Sequence, residues 1–179
     1  WGLRSICLRY FNACGCSEDG KIGEDHDPET HLIPIVLRAI TGEVEKLQVF
    51  GTDYPTPDGT CIRDYIHVDD LASAHDRAVR YLERGGVSDA VNLGTGKGTS
   101  VQQIIDAAER VSGKSVPVEC GARRTGDPAE LIADPSRAGR VLGWKATRSL
   151  DTIMESAWQW FSAPHGGKYG ESVKCGSFK

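Results

Sequence analysis

Apolar and polar residues alternate in several short segments of the 179-residue chain. Side chains of a strand point alternately to its two faces, so this alternation indicates strands. Between the segments, apolar residues recur every three or four positions, which is the spacing of an amphipathic helix. Strands alternating with helices are typical of an α/β sheet with crossover helices. The predicted strands are residues 5–12, 45–51, 61–68, 89–96 and 116–120.

Capping residues predict the limits of the first two helices. Thr30 is the predicted N-cap of the first helix, and Gly42 ends it. Asp69 or Asp70 is the predicted N-cap of the second helix, which continues to about residue 84. These signals separate the two helices from the strands beside them.

The second half of the chain carries clearer helix signals. Ser100 and Gln103 have the spacing of a capping box. Asp134 is the predicted cap of a later short helix, and residues 149–161 form a last amphipathic helix. The tail after residue 163 is rich in glycine, lysine and serine, which predicts disorder.

The strand over residues 61–68 carries a candidate anion-binding residue. Alternation places Arg63, Tyr65 and His67 on one face. A planar guanidinium is suited to a bidentate anion such as phosphate. The alternative is a surface ion pair with one of three nearby acids: Asp64, Asp69 or Asp70.

A second candidate lies in the stretch RRTGD, residues 123–127. Arg123 and Arg124 stand on a predicted turn where they could meet a phosphate, and Asp127 could accept from a sugar hydroxyl. The alternative is a solvated turn. Two separated arginine sites fit a diphosphate better than a single phosphate.

The glycine-rich stretch LGTGKGTS, residues 93–100, matches neither phosphate-binding motif that it resembles. Gly98 follows Lys97 where a Walker A loop needs serine or threonine, and Thr99 replaces the third glycine of the dinucleotide fingerprint. A strand, a tight turn and a helix start remain. We therefore interpret this stretch as packing a helix on a sheet, with ligand contact as the alternative.

His26 and His31 stand among acids in residues 23–31. A metal site is conceivable, but the spacing falls in a loop and a second ligand cluster is not evident. We interpret the segment as a solvated acidic loop and predict no metal.

Composition narrows the function classes. The chain is 39% hydrophobic and 26% charged, with a net charge of −4, which is typical of a globular protein without a nucleic-acid surface. It contains no apolar run of the length of a membrane span. Its six cysteines form no C-x-x-C pair, which favours reduced thiols in a cytoplasmic protein.

Several stretches, in one order and spacing, resemble the UDP-glucose 4-epimerases of the extended short-chain dehydrogenase/reductase family, which use tightly bound NAD. The resemblance covers residues 3–161, and residues 53–67 are its most specific part. The matching stretches are LRYFN (8–12), GEDHDPETHLIP (23–34), LQVFGTDYPTPDGTCIRDYIHVDDLA (47–72), NLGTGKGTS (92–100), RRTGDPAELIAD (123–134) and LGW (142–144).

The resemblance implies positions along a channel for NAD and a UDP-sugar. Tyr10 would lie near the nicotinamide of NAD. Phe11 and Asn12 would line the channel for the sugar and diphosphate. His31 and Leu32 would begin a helix whose backbone N–H groups face the diphosphate.

The same resemblance assigns the nucleotide pocket. Gln48 and Phe50 would hold the uracil, with the ring of Phe50 as an apolar wall. Arg63 and Arg124 would clamp the diphosphate, and Asp127 would hydrogen-bond the ribose. Arg63 would then be one side of a diphosphate clamp.

Two positions depart from the family pattern. Many members carry Asn where this chain has His31, and some carry a bulky Tyr beside the hexose where this chain has Leu131. The smaller Leu131 predicts space for an N-acetylated sugar.

The resemblance also implies a fold. It is the C-terminal part of an NAD-binding Rossmann-like fold with the smaller substrate-binding domain, so the parallel sheet would be incomplete. Residues 1–43 would be a late Rossmann strand, acidic loop and helix. Residues 44–162 would be the mixed substrate domain with a returning Rossmann strand near 89–96, and residues 163–179 a disordered tail.

The family's catalytic motifs are not in this sequence. Neither a G-x-x-G-x-x-G turn nor a Y-x-x-x-K pair is present, so we expect a fragment that is inactive alone and lacks an NAD-binding half. The intact enzyme is expected to be a homodimer. A sheet edge beside residues 5–12 would be open, which predicts marginal stability and aggregation. Two alternatives remain: a non-catalytic nucleotide-sugar-binding remnant, and part of a UDP-pentose 4-epimerase for xylose and arabinose.

Overall fold

The computed structural model describes residues 1–164, in which strands and helices alternate as predicted. The predicted tail falls almost entirely outside the described residues. The strands are Ile6–Tyr10 (β1), Asn12–Cys14 (β2), Leu47–Phe50 (β3), Ile62–Arg63 (β4), Tyr65–His67 (β5), Asp89–Leu93 (β6), Thr99–Ser100 (β7), Val118–Gly121 (β8) and Glu130–Leu131 (β9). The helices are Leu32–Thr41 (α1), Val68–Glu83 (α2), Val101–Ser112 (α3), Ser136–Leu142 (α4) and Leu150–Ser162 (α5).

The strands form small, mainly parallel sheets, which confirms the predicted α/β class. β1 pairs with β6, β2 with β5, and β3 with β8, all in parallel. β4 lies between antiparallel β7 and parallel β9. Within residues 1–164, β6 is the only strand that pairs with β1, so the other edge of β1 is open there.

Two predicted strands are interrupted. The first ends at Tyr10 and resumes at Asn12 beside another partner. The predicted strand over 61–68 breaks at Asp64, and Val68 already belongs to α2. Asp64 is fully buried, and its carboxylate accepts hydrogen bonds from backbone N–H groups of loops far away in the chain. Because of these contacts, Asp64 belongs to neither β4 nor β5. Alternation along the sequence cannot predict them.

The predicted cap of α1 is wrong by one residue. His31 is the N-cap, and its side chain makes no capping hydrogen bond. The carboxylate of Glu29 instead accepts from the backbone N–H groups of Thr30 and His31, each at 2.8 Å. The end of α1 is as predicted, because Gly42 adopts the left-handed conformation with φ of +83°.

The predicted cap of α2 is also wrong. The buried His67 caps this helix, and its Nδ1 accepts from the N–H of Asp69 at 3.1 Å. Asp70 points inward, where it accepts from Thr147 and Arg148. Although burial opposes ionisation of Asp70, these hydrogen bonds lower its pKa. Neither Asp69 nor Asp70 therefore caps α2 with its side chain.

The predicted capping box of α3 is confirmed, whereas the predicted cap of α4 is wrong by one residue. Ser100 and Gln103 form the complete capping box of α3. Pro135 is the N-cap of α4, which begins at Ser136, and not Asp134 as predicted. The Asp134 carboxylate accepts the N–H of Ser136 at 2.9 Å. Ser149 caps α5 by accepting from Thr152.

Two apolar clusters form the core. The larger one joins α1, α3, α5 and β3, and the smaller one joins α2, α4 and β6. The larger cluster contains residues of both predicted domains, 1–43 and 44–162. The limits of these domains remain a prediction. None of the helices within residues 1–164 combines the length and apolar character needed to cross a bilayer.

Candidate functional site

A cavity of about 350 Å³ lies between β3, the β4–β5 segment, the start of α1 and the turn after β8. It collects most of the residues that sequence analysis assigned to a nucleotide sugar. The predicted residues in its lining are Asn12, His31, Leu32, Gln48, Phe50, Arg63, Arg124 and Asp127.

One face of β3 forms a wall of this cavity. Gln48 and Phe50 lie on it as predicted, while Leu47 and Val49 are buried in the core. The Gln48 amide donates to the carbonyl of Glu119 at 3.1 Å, which fixes its direction. Lys46 also lines the cavity and was missed. Its place two residues before Gln48 was the signal, because alternate residues share a face.

The two arginines of the 123–127 turn have different partners. The Arg124 guanidinium lies 3.9 Å from the centre of the Phe50 ring, a cation–π contact at the cavity wall. Arg123 points away and donates to Asp53 at 2.7 Å. It also stacks 4.3 Å from the ring centre of Tyr54. Of the two arginines, only Arg124 faces the cavity, whereas Arg123 holds the loop that contains Asp53 and Tyr54.

Arg63 projects from β4 into the same cavity. Its Nη1 donates to the carbonyl of Ile62 at 2.7 Å, and its Nη2 pairs with Asp127. The ion pair is therefore with an acid 64 residues away and not with any of the three neighbouring acids that the alternative proposed. The side chain of Arg63 is only 13% exposed, so its charge is shielded from bulk water.

Alternation continues through the break at Asp64. Cys61, Arg63 and Tyr65 all line the cavity, although β4 and β5 belong to different sheets. His67 does not join them, because it is buried against Ser156. Burial raises the pKa of Tyr65, which keeps its hydroxyl neutral at the cavity wall.

The N-terminus of α1 closes the cavity. His31 and Leu32 are part of the lining, as predicted for the diphosphate. The His31 N–H is already taken by Glu29, however. The N–H groups of a first helical turn have no intrahelical acceptor, so Leu32 and Ile33 supply the donors that remain for an anion.

A second cavity of about 590 Å³ adjoins the first. Tyr10 and Phe11 line it, and Asn12 and His31 line both cavities. Apart from Leu131, the predicted cofactor and substrate residues therefore lie along one continuous surface. Leu131 is absent from both linings; it pairs in register with Arg63 and is 49% exposed, so its predicted contact with a sugar remains a prediction.

The glycine-rich stretch after β6 has a structural partner. Asp64 accepts from the N–H of Thr95 at 2.8 Å and from the N–H of Gly96 at 2.9 Å. The Thr95 hydroxyl donates to the same carboxylate at 2.7 Å. The stretch lines neither of the two cavities described above, but Thr95, Lys97, Gly98 and Thr99 line a separate cavity of about 800 Å³. The contacts of Asp64 support the packing interpretation, and the ligand-contact alternative stays open.

The cavity has the chemistry of a site for an aromatic ligand that carries two negative charges. Arg63 and Arg124 supply guanidinium groups, and the N-terminus of α1 supplies backbone donors. Phe50 offers an aromatic face and Gln48 an amide beside it. A nucleoside diphosphate has complementary parts.

The comparisons identify the class of protein. The model of the NAD dependent epimerase/dehydratase family matches residues 1–94. The chain belongs to this family.

Two similar proteins of this family are both named UDP-glucose 4-epimerase. The chain is 52% identical over 168 residues to a UDP-glucose 4-epimerase of Halalkalibacterium halodurans, which covers 93% of this chain and 50% of that protein. It is 53% identical over 166 residues to a UDP-glucose 4-epimerase of Rhizobium meliloti, covering 93% and 51%. The chain thus spans about half the length of these relatives.

Solved structures of the same name are similar in fold. The UDP-glucose 4-epimerase from Brucella ovis in complex with NAD matches with a TM-score of 0.87 and 54% identity, over 93% of this chain and 50% of that one. The enzyme from Bifidobacterium longum in complex with NAD+ and UDP matches with a TM-score of 0.84 and 41% identity, over 91% and 49%.

Proposed function

We propose that this chain is the nucleotide-sugar-binding half of a UDP-glucose 4-epimerase that uses bound NAD to interconvert UDP-galactose and UDP-glucose. One observation carries the proposal: the 350 Å³ cavity places Arg63, Arg124, Phe50 and Gln48 around one space of suitable chemistry. Relatives and solved neighbours bearing this name support it.

In the proposed complex the uracil lies beside Gln48 and Phe50. Arg124 now covers the ring of Phe50, so it moves from this face toward the diphosphate as the uracil enters. Arg63 gives up part of its bond to Asp127 and takes a phosphate oxygen, which frees Asp127 for the ribose. The same charged groups thus hold the empty cavity together and then recognise the ligand.

The resemblance assigns the redox step to NAD, which takes and returns a hydride at carbon 4 of the sugar. In this chain, Tyr10 and Phe11 would lie beside the nicotinamide and the sugar channel. The catalytic base and most of the NAD site would come from another segment. We propose that this NAD-binding half completes the sheet at the open edge of β1.

The cellular setting belongs to the same proposal. A cytoplasmic location is supported by Cys7, Cys14, Cys16, Cys61 and Cys120, which are all free thiols. Burial raises the pKa of Cys16 to about 11, so its thiol is protonated at neutral pH. A homodimer of the assembled enzyme is the state that the resemblance implies.

Nucleotide binding by calorimetry tests the proposal. We expect UDP to bind the chain at least about tenfold more tightly than UMP, since UMP cannot engage both arginines, and ADP to bind more weakly than UDP. Arg63→Lys should lower UDP affinity by about tenfold, because lysine cannot make a bidentate contact.

The matched control is Arg137→Lys, which changes the exposed bidentate pair with Asp89 away from the cavity. It should leave UDP affinity unchanged. Equal affinity for UDP and UMP, or equal losses in the two variants, would contradict the nucleotide site.

Joining the chain with the region of the Halalkalibacterium halodurans relative that it does not match tests the activity. Production of UDP-glucose from UDP-galactose is expected. Binding of UDP without turnover would support the non-catalytic alternative, and preference for UDP-xylose would support the pentose alternative.

A further inference from the structure

Four potential metal ligands meet in the loop before α1. Glu24, His26, Glu29 and His31 each bring one ligand atom within 4.8 Å of the others. Nδ1 of His31 lies 2.9 Å from Oε1 of Glu24 and 2.9 Å from Oε1 of Glu29. Nδ1 of His26 lies 3.0 Å from Oε1 of Glu24. The acidic loop is therefore folded into a compact cluster, which differs from the solvated loop predicted from sequence.

The carboxylate of Glu29 has one oxygen that is available to a bound cation. Its side chain is only 3% exposed. Oε1 accepts from the N–H groups of Thr30 and His31, whereas Oε2 is buried and has no hydrogen-bond partner among residues 1–164. The 3.8 Å from Oε2 to Nδ1 of His26 is too long for a hydrogen bond. A buried carboxylate oxygen without a partner is costly, and a bound cation removes that cost.

Glu24 brings a second carboxylate, and so a second negative charge, to the cluster. The Glu24 side chain is only 14% exposed, and its Oε1 lies 2.9 Å from Nδ1 of His31 and 3.0 Å from Nδ1 of His26. Two carboxylates this close favour either a proton or a cation between them. The two imidazoles lie close enough to join the two carboxylates around a metal ion.

The loop is held in place before any ion binds. Nε1 of the buried Trp160 donates to the carbonyl of Glu24 at 3.0 Å. Gly23 packs so closely on the Trp160 ring that a Cβ could not be accommodated. Backbone donors fix Oε1 of Glu29 and leave Oε2 as its ligand atom. Such supporting contacts are what orient the ligands of protein metal sites.

We propose that Glu24, His26, Glu29 and His31 form a site for a divalent transition-metal ion such as Zn²⁺. Two imidazoles with two carboxylates suit Zn²⁺, whereas Ca²⁺ and Mg²⁺ prefer oxygen ligands alone. Ligand atoms of a tetrahedral zinc site lie about 3.3 Å apart, so small side-chain movements form it. The adjoining 590 Å³ cavity, lined by three of these residues, gives the ion a path of entry.

A metal ion at this site would connect the loop over residues 23–31 to the start of α1. The ion would fix His31, which lines both cavities, through ligands that begin eight positions before α1. This goes beyond the proposed function, since the ion orders the cavity wall and takes no part in the hydride chemistry.

Titration of the chelator-treated, untagged chain with ZnCl₂ tests the site, under reducing conditions and by calorimetry. One equivalent of Zn²⁺ is expected to bind, and Co²⁺ should give the visible absorption of a tetrahedral complex. His26→Ala and Glu29→Gln should each weaken Zn²⁺ binding by at least about tenfold. His75→Gln removes an exposed histidine on α2 and should change nothing.

Three results would overturn the proposal. The first is absence of Zn²⁺ binding in a chain that circular dichroism shows to be folded, which would make the cluster a set of histidine–glutamate ion pairs. The second is binding that survives both variants but is lost on thiol alkylation, which would assign it to cysteines. The third is equal affinity for Mg²⁺. UDP binding is measured separately with His26→Ala, a position outside the 350 Å³ cavity, so failure of the metal site is distinguishable from failure of the nucleotide site.

Discussion

Nη2 of Arg63 donates to Oδ1 of Asp127, joining β4 to the turn between β8 and β9. Both side chains are mostly shielded from water, at 13% and 27% exposure. The carboxylate thus lies where the proposed diphosphate has to approach. Binding of the nucleotide exchanges one anionic partner of Arg63 for another and releases Asp127 toward the ribose.

Asp127→Asn should separate these two effects. Loss of the carboxylate charge frees Arg63, so affinity for inorganic pyrophosphate should rise by about threefold to tenfold. UDP should gain less than pyrophosphate, because it also loses its charged ribose acceptor. Calorimetry with both ligands measures the difference. An equal change for the two ligands would show that Asp127 does not contact the ribose.

Asp64→Asn should destabilise the fold. The buried Asp64 carboxylate accepts four hydrogen bonds from residues 31 to 69 positions away, and an amide cannot accept all of them. We expect a loss of about 2–4 kcal/mol in the free energy of unfolding, measured with urea. Asp76→Asn removes an exposed pair with Arg80 on α2 and should cost less than about 0.5 kcal/mol. Similar losses in both variants would contradict a central position for Asp64.

His67 should make stability depend on pH. Burial lowers the pKa of this histidine in the folded chain, whereas it is about 6.5 in the unfolded chain. The unfolded state then binds more protons below pH 6.5, so the free energy of unfolding is highest above that pH and falls as the solution is acidified toward the folded-state pKa. Asp69 favours the charged form and Arg148 opposes it, but burial has the larger effect.

Urea unfolding at pH 7.5 and 5.5 measures this dependence. Each unit of pKa difference corresponds to about 1.4 kcal/mol. His67→Asn keeps an N-cap acceptor for Asp69 and removes the titrating group, so it should flatten the dependence. His75→Gln, on the exposed surface of α2, should leave the dependence as in the parent chain. Parallel pH profiles of parent and His67→Asn would contradict the prediction.

The open edge of β1 should make the isolated chain self-associate. Exposed strand edges pair with other chains, and a charged side chain on the edge suppresses this pairing. Cys7 is exposed on β1. Cys7→Lys should therefore reduce light scattering at high concentration in reducing buffer. Cys7→Ser removes the thiol without adding charge and should behave like the parent chain. A monomeric parent chain that melts cooperatively at high concentration would contradict the prediction.

Local patterns were sufficient for much of the fold. The α/β order, the end of α1 at Gly42 and the capping box of Ser100 and Gln103 depend on neighbours within a few residues. Alternation likewise assigned Gln48 and Phe50 to one strand face, and the same rule points to Lys46. The candidate cavity was predicted by resemblance to a known family, since a local pattern does not tell which distant segments meet.

The sequence by itself determined the order of strands and helices, the end of α1 at Gly42, the capping box of α3 and the residue types available for an anion. Only the tertiary structure decided that Asp64 interrupts a strand, that His67 caps α2, that Arg63 pairs with Asp127 and that Glu29 leaves an oxygen unpaired. The physical reason is the distance along the chain over which each interaction acts. Propensity and periodicity act between residues a few positions apart, whereas burial and hydrogen bonding of these polar groups depend on segments that meet only when the chain has folded.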